Sequence, residues 1–218
     1  MATDNAGAHV GSRDQILRRV RAAVKTAAPQ RPGPSPSAPI FAPVTDPLER
    51  FRSECAANTM ECVLTAGAAA TAEALGRVLG SLPEGEIFAQ DAPVLRELIT
   101  QTGTTRAVRW SSQGAPAEAS QATISLCEAL VALTGSVLVS SGSCGGRGSS
   151  IVAPCHIVVA RKDQLVPDLE AALARAREIA FDSSYIGLIT GTSRTSDIEK
   201  MLIIGAHGPR RLVVLVEG

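Results

Sequence analysis

Aromatic side chains are scarce in this sequence. Phe, Tyr and Trp make up 3% of 218 residues, while 45% of the chain is hydrophobic. The interior must therefore be built from Ala, Val, Leu and Ile. Single-stranded nucleic acid is bound on aromatic stacking platforms, which this composition does not supply. Charge of one sign is lacking too: 21 Lys and Arg balance 21 Asp and Glu. That leaves no basic footprint for a duplex, and no nucleic-acid partner is expected. No apolar run reaches the ~18 or more residues of a membrane helix, so no membrane span is expected. Met1–Gly11 lacks a basic start followed by an apolar stretch, and the default expectation is a cytoplasmic protein. The five cysteines (Cys55, Cys62, Cys127, Cys144 and Cys155) include no CxxC pair. Neither a disulfide framework nor an iron–sulfur cluster held by this chain alone is expected. GxSxG, HExxH and Cys/His metal spacings are missing as well, and of three histidines His9 lies in the N-terminal arm. No metal and no cofactor bound by this chain are expected.

Charge is unevenly placed along the chain. Residues 1–31 carry Arg13, Arg18, Arg19, Arg21, Lys25 and Arg31 against Asp4 and Asp14. A basic arm thus precedes a slightly acidic body. Ser12 and Gln15 have capping-box spacing, and Ile16, Leu17, Val20, Val24 and Ala27 recur at helical spacing. Pro29, Pro32, Pro34, Pro36, Pro39 and Pro43 then mark an extended linker. We divide the chain into an arm and linker, 1–44, and a body, 45–218.

The body opens with Asp46 as a helix cap and Pro47 at the first helical position. Leu48, Phe51 and Cys55 form that helix's apolar stripe. Strands are predicted at 61–65, 87–89 and 106–110. Helices are predicted at 68–82, with Leu75, Val78 and Leu79 inward, and after an Asp91 cap, with Leu95, Leu98 and Ile99 inward. This β-α-β-α-β alternation argues for a mainly parallel sheet covered by helices, an α/β fold. Residues 122–131 read equally as helix or strand. Strands follow at 136–140, 155–161, 185–190 and 211–216. A helix at 167–180 turns Leu169, Leu173, Ala176 and Ala180 inward.

Four polar segments could carry chemistry. In the loop 140–150, Gly142, Gly145, Gly146 and Gly148 let backbone N–H groups converge on an anion that Arg147 could clamp. A plain connector is the competing reading. Cys144 in that loop is expected to be the reactive thiol, with Arg147 favouring its thiolate. Cys155 and His156 are adjacent on a strand and face opposite ways, so they form no dyad. Cys155 reads as core, while His156 faces either a cleft or the sheet edge. The segment 191–199 follows a strand read as central. Ser193, Arg194, Thr195 and Asp197 therefore cluster at a strand's carboxyl end, where open α/β sheets bind ligands. Ser193 or Thr195 could instead cap a helix. Lastly, His207 and Gly208 lie in a turn before the final strand.

Several of these strings resemble a known family. Thr134-Gly-Ser-Val-Leu-Val139, Gly145-Gly-Arg-Gly-Ser-Ser150 and Ala153-Pro-Cys-His-Ile-Val158 resemble the LUD-domain family. Ser193-Arg-Thr-Ser-Asp-Ile-Glu199 and Gly205-Ala-His-Gly-Pro209 resemble its lactate-utilisation protein C branch. Leu133 stands where the family usually has an acidic residue, and Thr192 where it has Pro. The resemblance covers about residues 45–218. It implies a three-layer α/β/α architecture similar to the sugar-phosphate isomerase/CoA-transferase-like superfamily. It also implies a part in oxidising L-lactate to pyruvate beside partner proteins that carry iron–sulfur clusters.

The leading expectation is the non-cluster component of such a system, without activity alone. An anion-binding cleft at the sheet's carboxyl edge would use Arg147, Ser193, Arg194, Thr195 and His207. His156, Asp197 and Gly208 complete the ligand set, for a small anionic ligand. An independent ligase- or transferase-like enzyme acting on a phosphorylated or acyl substrate, and a structural adaptor, stay open, as does a homo-oligomer. The proline linker gives one prediction directly. Limited proteolysis should cut first between Ala28 and Pro43, and a fragment starting at Thr45 should unfold cooperatively. An insoluble or molten fragment would contradict the division at residue 44.

Overall fold

A computed structural model describes residues 12–26, 43–114, 119–195, 203–204 and 208–218. The chain divides into two units, residues 1–42 and 43–218. In the first, helix α1 spans Ser12–Thr26, with Ile16, Val20 and Val24 exposed along one side. No helix among the described residues is long and apolar enough to cross a membrane.

The body starts with α2, Pro47–Ala57, whose cap follows the sequence reading. The Asp46 carboxylate accepts the Glu49 N–H at 3.0 Å, and Pro47 occupies the first turn. β1 (Glu61–Thr65), α3 (Gly67–Gly80), β2 (Ile87–Ala89), α4 (Pro93–Gln101) and β3 (Val108–Trp110) realise the predicted alternation. Asp91 does not cap α4; Ala92 occupies that position, and no side chain caps it. The Asp91 carboxylate is engaged by Arg96 at 2.6 and 2.9 Å and by the Ser112 hydroxyl.

The ambiguous stretch 122–131 resolves into two strands, β4 (Ala122–Ser125) and β5 (Ala129–Val131). Both are wholly buried, Thr123 and Ser125 included, so the polar residues of this stretch do not mark a solvent face from which its period could be read. β6 (Ser136–Ser140), β7 (Cys155–Arg161), β8 (Leu165–Val166), α5 (Leu169–Ile179) and β9 (Ile186–Ile189) follow. β10 (Arg194–Thr195), β11 (Ile203–Ile204) and β12 (Arg211–Glu217) end the chain. On α5 the buried residue is Ala172, and Leu173 is 48% exposed. The inward stripe is thus rotated from the predicted one by about one residue.

Six strands form one parallel sheet in the order β1-β12-β7-β4-β2-β3. Parallel sheets are buried on both faces, which explains the unbroken apolar run of β12, Leu212–Val216. One face packs Cys155, Ile157, Val213 and Leu215 against Leu75 and Leu79 of α3 and Leu95 and Leu98 of α4. The other packs Val158, Leu212 and Val214 against Phe51 of α2 and against a second sheet. That second sheet, in the order β8-β5-β6-β9, has no counterpart in the sequence reading. It also moves β9 from a supposed central strand to an edge, where Leu188 is 40% exposed. The architecture is α/β, with a six-stranded parallel layer between two covering layers.

Phe51 is fully buried in the cluster that joins α2 to the parallel sheet. Phe51→Ala leaves a cavity there and should lower unfolding free energy by about 3–5 kcal/mol, read from denaturant unfolding.

Candidate functional site

In parallel α/β sheets, ligands settle beyond the strands' carboxyl ends, where successive connections leave in opposite directions. The strand order places that point between β2 and β4. From β2 the chain goes by α4 to the neighbouring β3, whereas from β4 it crosses to the second sheet and on to β7. The Gly/Ser loop between β6 and β7 covers this crevice. Gln90, just after β2, donates from Nε2 to the Gly142 carbonyl at 2.7 Å and accepts the Leu126 N–H at 3.1 Å. The same Leu126 N–H reaches the Ser143 carbonyl at 3.0 Å. At Gly145 (φ +68), a Cβ would meet Ser111 at 2.6 Å, so only glycine lets the loop approach β3 this closely.

Beneath the loop lies a buried polar pair. His156 and Thr123 are register partners on neighbouring strands, and Ser125 stands two residues along β4 on the same face. Ser125 Oγ and His156 Nε2 share a hydrogen bond of 2.8 Å, and both residues are fully buried. The Thr123 hydroxyl donates to the Ser149 carbonyl, fixing the descending arm of the loop. His156 Nδ1, Ser149 Oγ and Ser150 Oγ are buried without a hydrogen-bond partner among the described residues. Burial pushes the His156 imidazole down to about 4, so it is neutral at pH 7.

Cys144 is fully buried beside Ser125, which corrects the expectation of a reactive loop thiol. The loop folds inward through Cys144 N–H to Ser140 O, at 3.0 Å, and Gly146 N–H to Ser141 O, at 2.8 Å. Burial pushes the thiol up to about 11, and the Ser125 hydrogen bond only partly opposes this. Arg147 does not favour its thiolate. Its guanidinium is exposed and donates to the Ser184 carbonyl at 2.8 Å.

The other predicted residues lie elsewhere. Ser193 and Gly208 do meet: the Ser193 N–H donates to the Pro209 carbonyl at 3.0 Å, and a Cβ on Gly208 would stand 3.1 Å from Ser193 Cβ. Nearby, Thr192 shares a 3.0 Å hydrogen bond with Thr59, just before β1, and Arg210 donates to Pro154, just before β7. This turn pair therefore sits at the amino edge of the parallel sheet, not at its carboxyl edge. Arg194 and Thr195 form β10, paired with β11, so Ser193 does not cap a helix at 194, while a helix after Thr195 would lie outside the described residues. Arg147 is tied to the residues before β9, while Ser193 lies beyond its end. The two do not form the single cleft expected. Asp197 and His207 lie outside the described residues.

A further groove, of about 610 Å³, opens at the amino edge beside Gly76, Gly80, Thr102 and Arg106. The Arg106 guanidinium is already committed to the Leu82 and Pro83 carbonyls, at 2.7 and 2.6 Å. That makes it a loop clasp. The sequence reading missed Gln90, Ser111 and Ser125. Ser125, a second hydroxyl two residues after Thr123, was the one legible signal, and the helix–strand ambiguity obscured it.

Comparison with known proteins gives a consistent set of likenesses. The LUD domain family model matches residues 48–216. Lactate utilization protein C of Geobacillus sp. (strain WCH70) is 28% identical over 190 residues, covering 78% of this chain and 77% of that protein. The protein of the same name from Deinococcus radiodurans is 32% identical over 93 residues, 42% of this chain and 44% of that one. The crystal structure of a DUF162 family protein from Deinococcus radiodurans superimposes with a TM-score of 0.62 at 21% identity, covering 79% of this chain and 96% of that one.

The neutral imidazole yields a pH prediction. Its folded pKa, about 4, lies below the ordinary value of 6.5. The resulting stability is complete above pH 6.5 and is lost as pH falls from there to about 4, because the unfolded chain takes up the proton first. The loss should total on the order of 3 kcal/mol. Urea unfolding of wild type and His156→Gln across this range should show the slope only in wild type. Parallel slopes would place the imidazole in solvent.

Proposed function

The chain belongs to the LUD domain family, and from that premise we propose that it is the non-cluster component of an L-lactate-oxidising system. One observation carries this reading: the likeness to a protein named Lactate utilization protein C, which spans about three-quarters of both chains. In this scheme L-lactate gives up two electrons and two protons to become pyruvate. Iron–sulfur clusters held by partner proteins, in the cytoplasm, would accept the electrons. This chain supplies ligand binding and a docking body.

The crevice between β2 and β4 is the ligand site we favour, for a small anion. Arg147, in the covering loop, is its exposed cation. Arg suits a carboxylate because its planar fork can donate two parallel hydrogen bonds. His156 contributes a neutral hydrogen-bonding group behind Ser125. Ser193, Arg194, Thr195 and Gly208 then form a separate turn at the amino edge, suited to holding a partner or a second ligand group. Asp197 and His207 remain candidates for that turn from the sequence alone.

The test is reconstitution. Lactate-dependent dye reduction should be absent with the purified chain and present when the cluster-binding partners are added. Omitting the chain from that mixture should remove most of the rate. Turnover by the chain alone, or full activity of the partners without it, would overturn the proposal.

A further inference from the structure

Two of the five cysteines touch. Cys55 lies in the last turn of α2 and is fully buried. Thr59 then takes a left-handed conformation, φ +57, and the Met60 N–H donates back to the Cys55 carbonyl at 2.9 Å. This tight reversal brings Cys62, on β1, against the buried apolar cluster that contains Cys55, and the two thiols are near enough for each to shift the other's proton affinity. β1 is an edge strand with β12 as its single partner, so Cys62 stays partly exposed while Cys55 is covered. Around them the charges differ. Arg52, one turn before Cys55, favours a Cys62 thiolate, while Glu54 disfavours one at Cys55. The Cys55 S–H lowers the Cys62 thiol below its ordinary range.

We propose that Cys62 and Cys55 form a thiol–disulfide exchange site, with Cys62 the attacking thiol and Cys55 the resolving one, acting on a low-molecular-weight disulfide. This site lies outside the crevice described above and does not depend on a role in lactate oxidation. An accessible thiolate beside a buried second thiol is the arrangement that exchange chemistry needs. The Cys62 thiolate attacks one sulfur of the small disulfide, forming a mixed disulfide and expelling one thiolate. Cys55 then loses its proton, attacks the Cys62 sulfur and expels the second thiolate. In sum, two protein thiols are oxidised to one disulfide, and one small disulfide is reduced to two thiols. Both sulfurs belong to one packed cluster, so bonding them needs a local rearrangement and no refolding. Cys127, Cys144 and Cys155 are buried, and burial raises each thiol. They serve as internal controls.

The reduced full chain is incubated with oxidised glutathione, quenched in acid and read by intact mass and peptide mapping. The expected product is lighter by the two thiol hydrogens, with a Cys55–Cys62 cross-linked peptide and the other three cysteines free. Cys55→Ala should trap glutathione on Cys62, and Cys62→Ser should give neither product. If Cys55→Ala does not fold, the wild-type map decides. A glutathione adduct persisting at Cys62, or first modification at a control cysteine, would overturn the proposal. Iodoacetamide should alkylate Cys62 at least about tenfold faster than Cys144, and Arg52→Gln should slow it severalfold. Equal rates at the two cysteines, or no effect of Arg52→Gln, would refute the assignment of Cys62 as attacking thiol.

Discussion

The parallel pairing of β12 between β1 and β7 holds the body together. It joins the first strand of the body to the last, across 150 residues, with Glu61 opposite Val213 and Cys155 opposite Arg211. Burial of Leu212–Val216 on both faces drives it, and Arg211 fixes its start by a two-pronged pair with Glu61, at 2.6 and 2.8 Å. That pair is partly exposed and sets register more than stability. A parallel strand inserted this way needs cover on both faces. The helices α3 and α4 supply one cover, and the second sheet with α2 supplies the other.

That requirement shapes the candidate site. The chain leaving β4 must build a second sheet before returning as β7, so its return loop crosses the carboxyl edge of β2 and β4. The polar groups gathered there are largely satisfied by one another, through Gln90, Leu126, Ser143 and Ser125. The orphaned atoms lie deeper, at His156, Ser149 and Ser150. A neutral imidazole beside hydroxyl groups is suited to hydrogen bonding rather than to charge pairing. On the covering loop, positive charge stands at the rim, at Arg147. The guanidinium of Arg147 holds the covering loop to the Ser184 carbonyl, before β9.

The thiol pair has a different origin. It arises from the turn between α2 and β1 and from the exposure of an edge strand. A residue on an inner strand would be covered on both faces, as Cys155 is. The same sheet order that buries the core therefore leaves one cysteine accessible beside one that is not.

Much of the fold was legible in the sequence. The Asp46 cap, the faces of α3 and α4 and the β-α-β-α-β alternation follow from local rules: a side chain reaching a free N–H, and apolar residues recurring at the helical period. Family membership was legible too, in short strings after residue 130. What was not legible depends on partners far away in the chain. Asp91 has the type and place of a helix cap, but Arg96 and Ser112 compete for its carboxylate and win. Residues 122–131 include Thr123 and Ser125, which are buried like their apolar neighbours, so polarity there marks no solvent face and does not reveal two strands belonging to two different sheets. Cys144 sits in a Gly/Ser loop that composition alone would put in solvent, yet hydrogen bonds to Ser140 and Ser141 fold it into the core. Ser193 and Gly208 meet, but the strand before Ser193 belongs to the second sheet, which carries them to the amino edge instead of the expected carboxyl edge. Local sequence fixes hydrogen bonds between near neighbours. Only the tertiary structure decides which strand ends meet, because that follows from strand order, a property of the whole sheet.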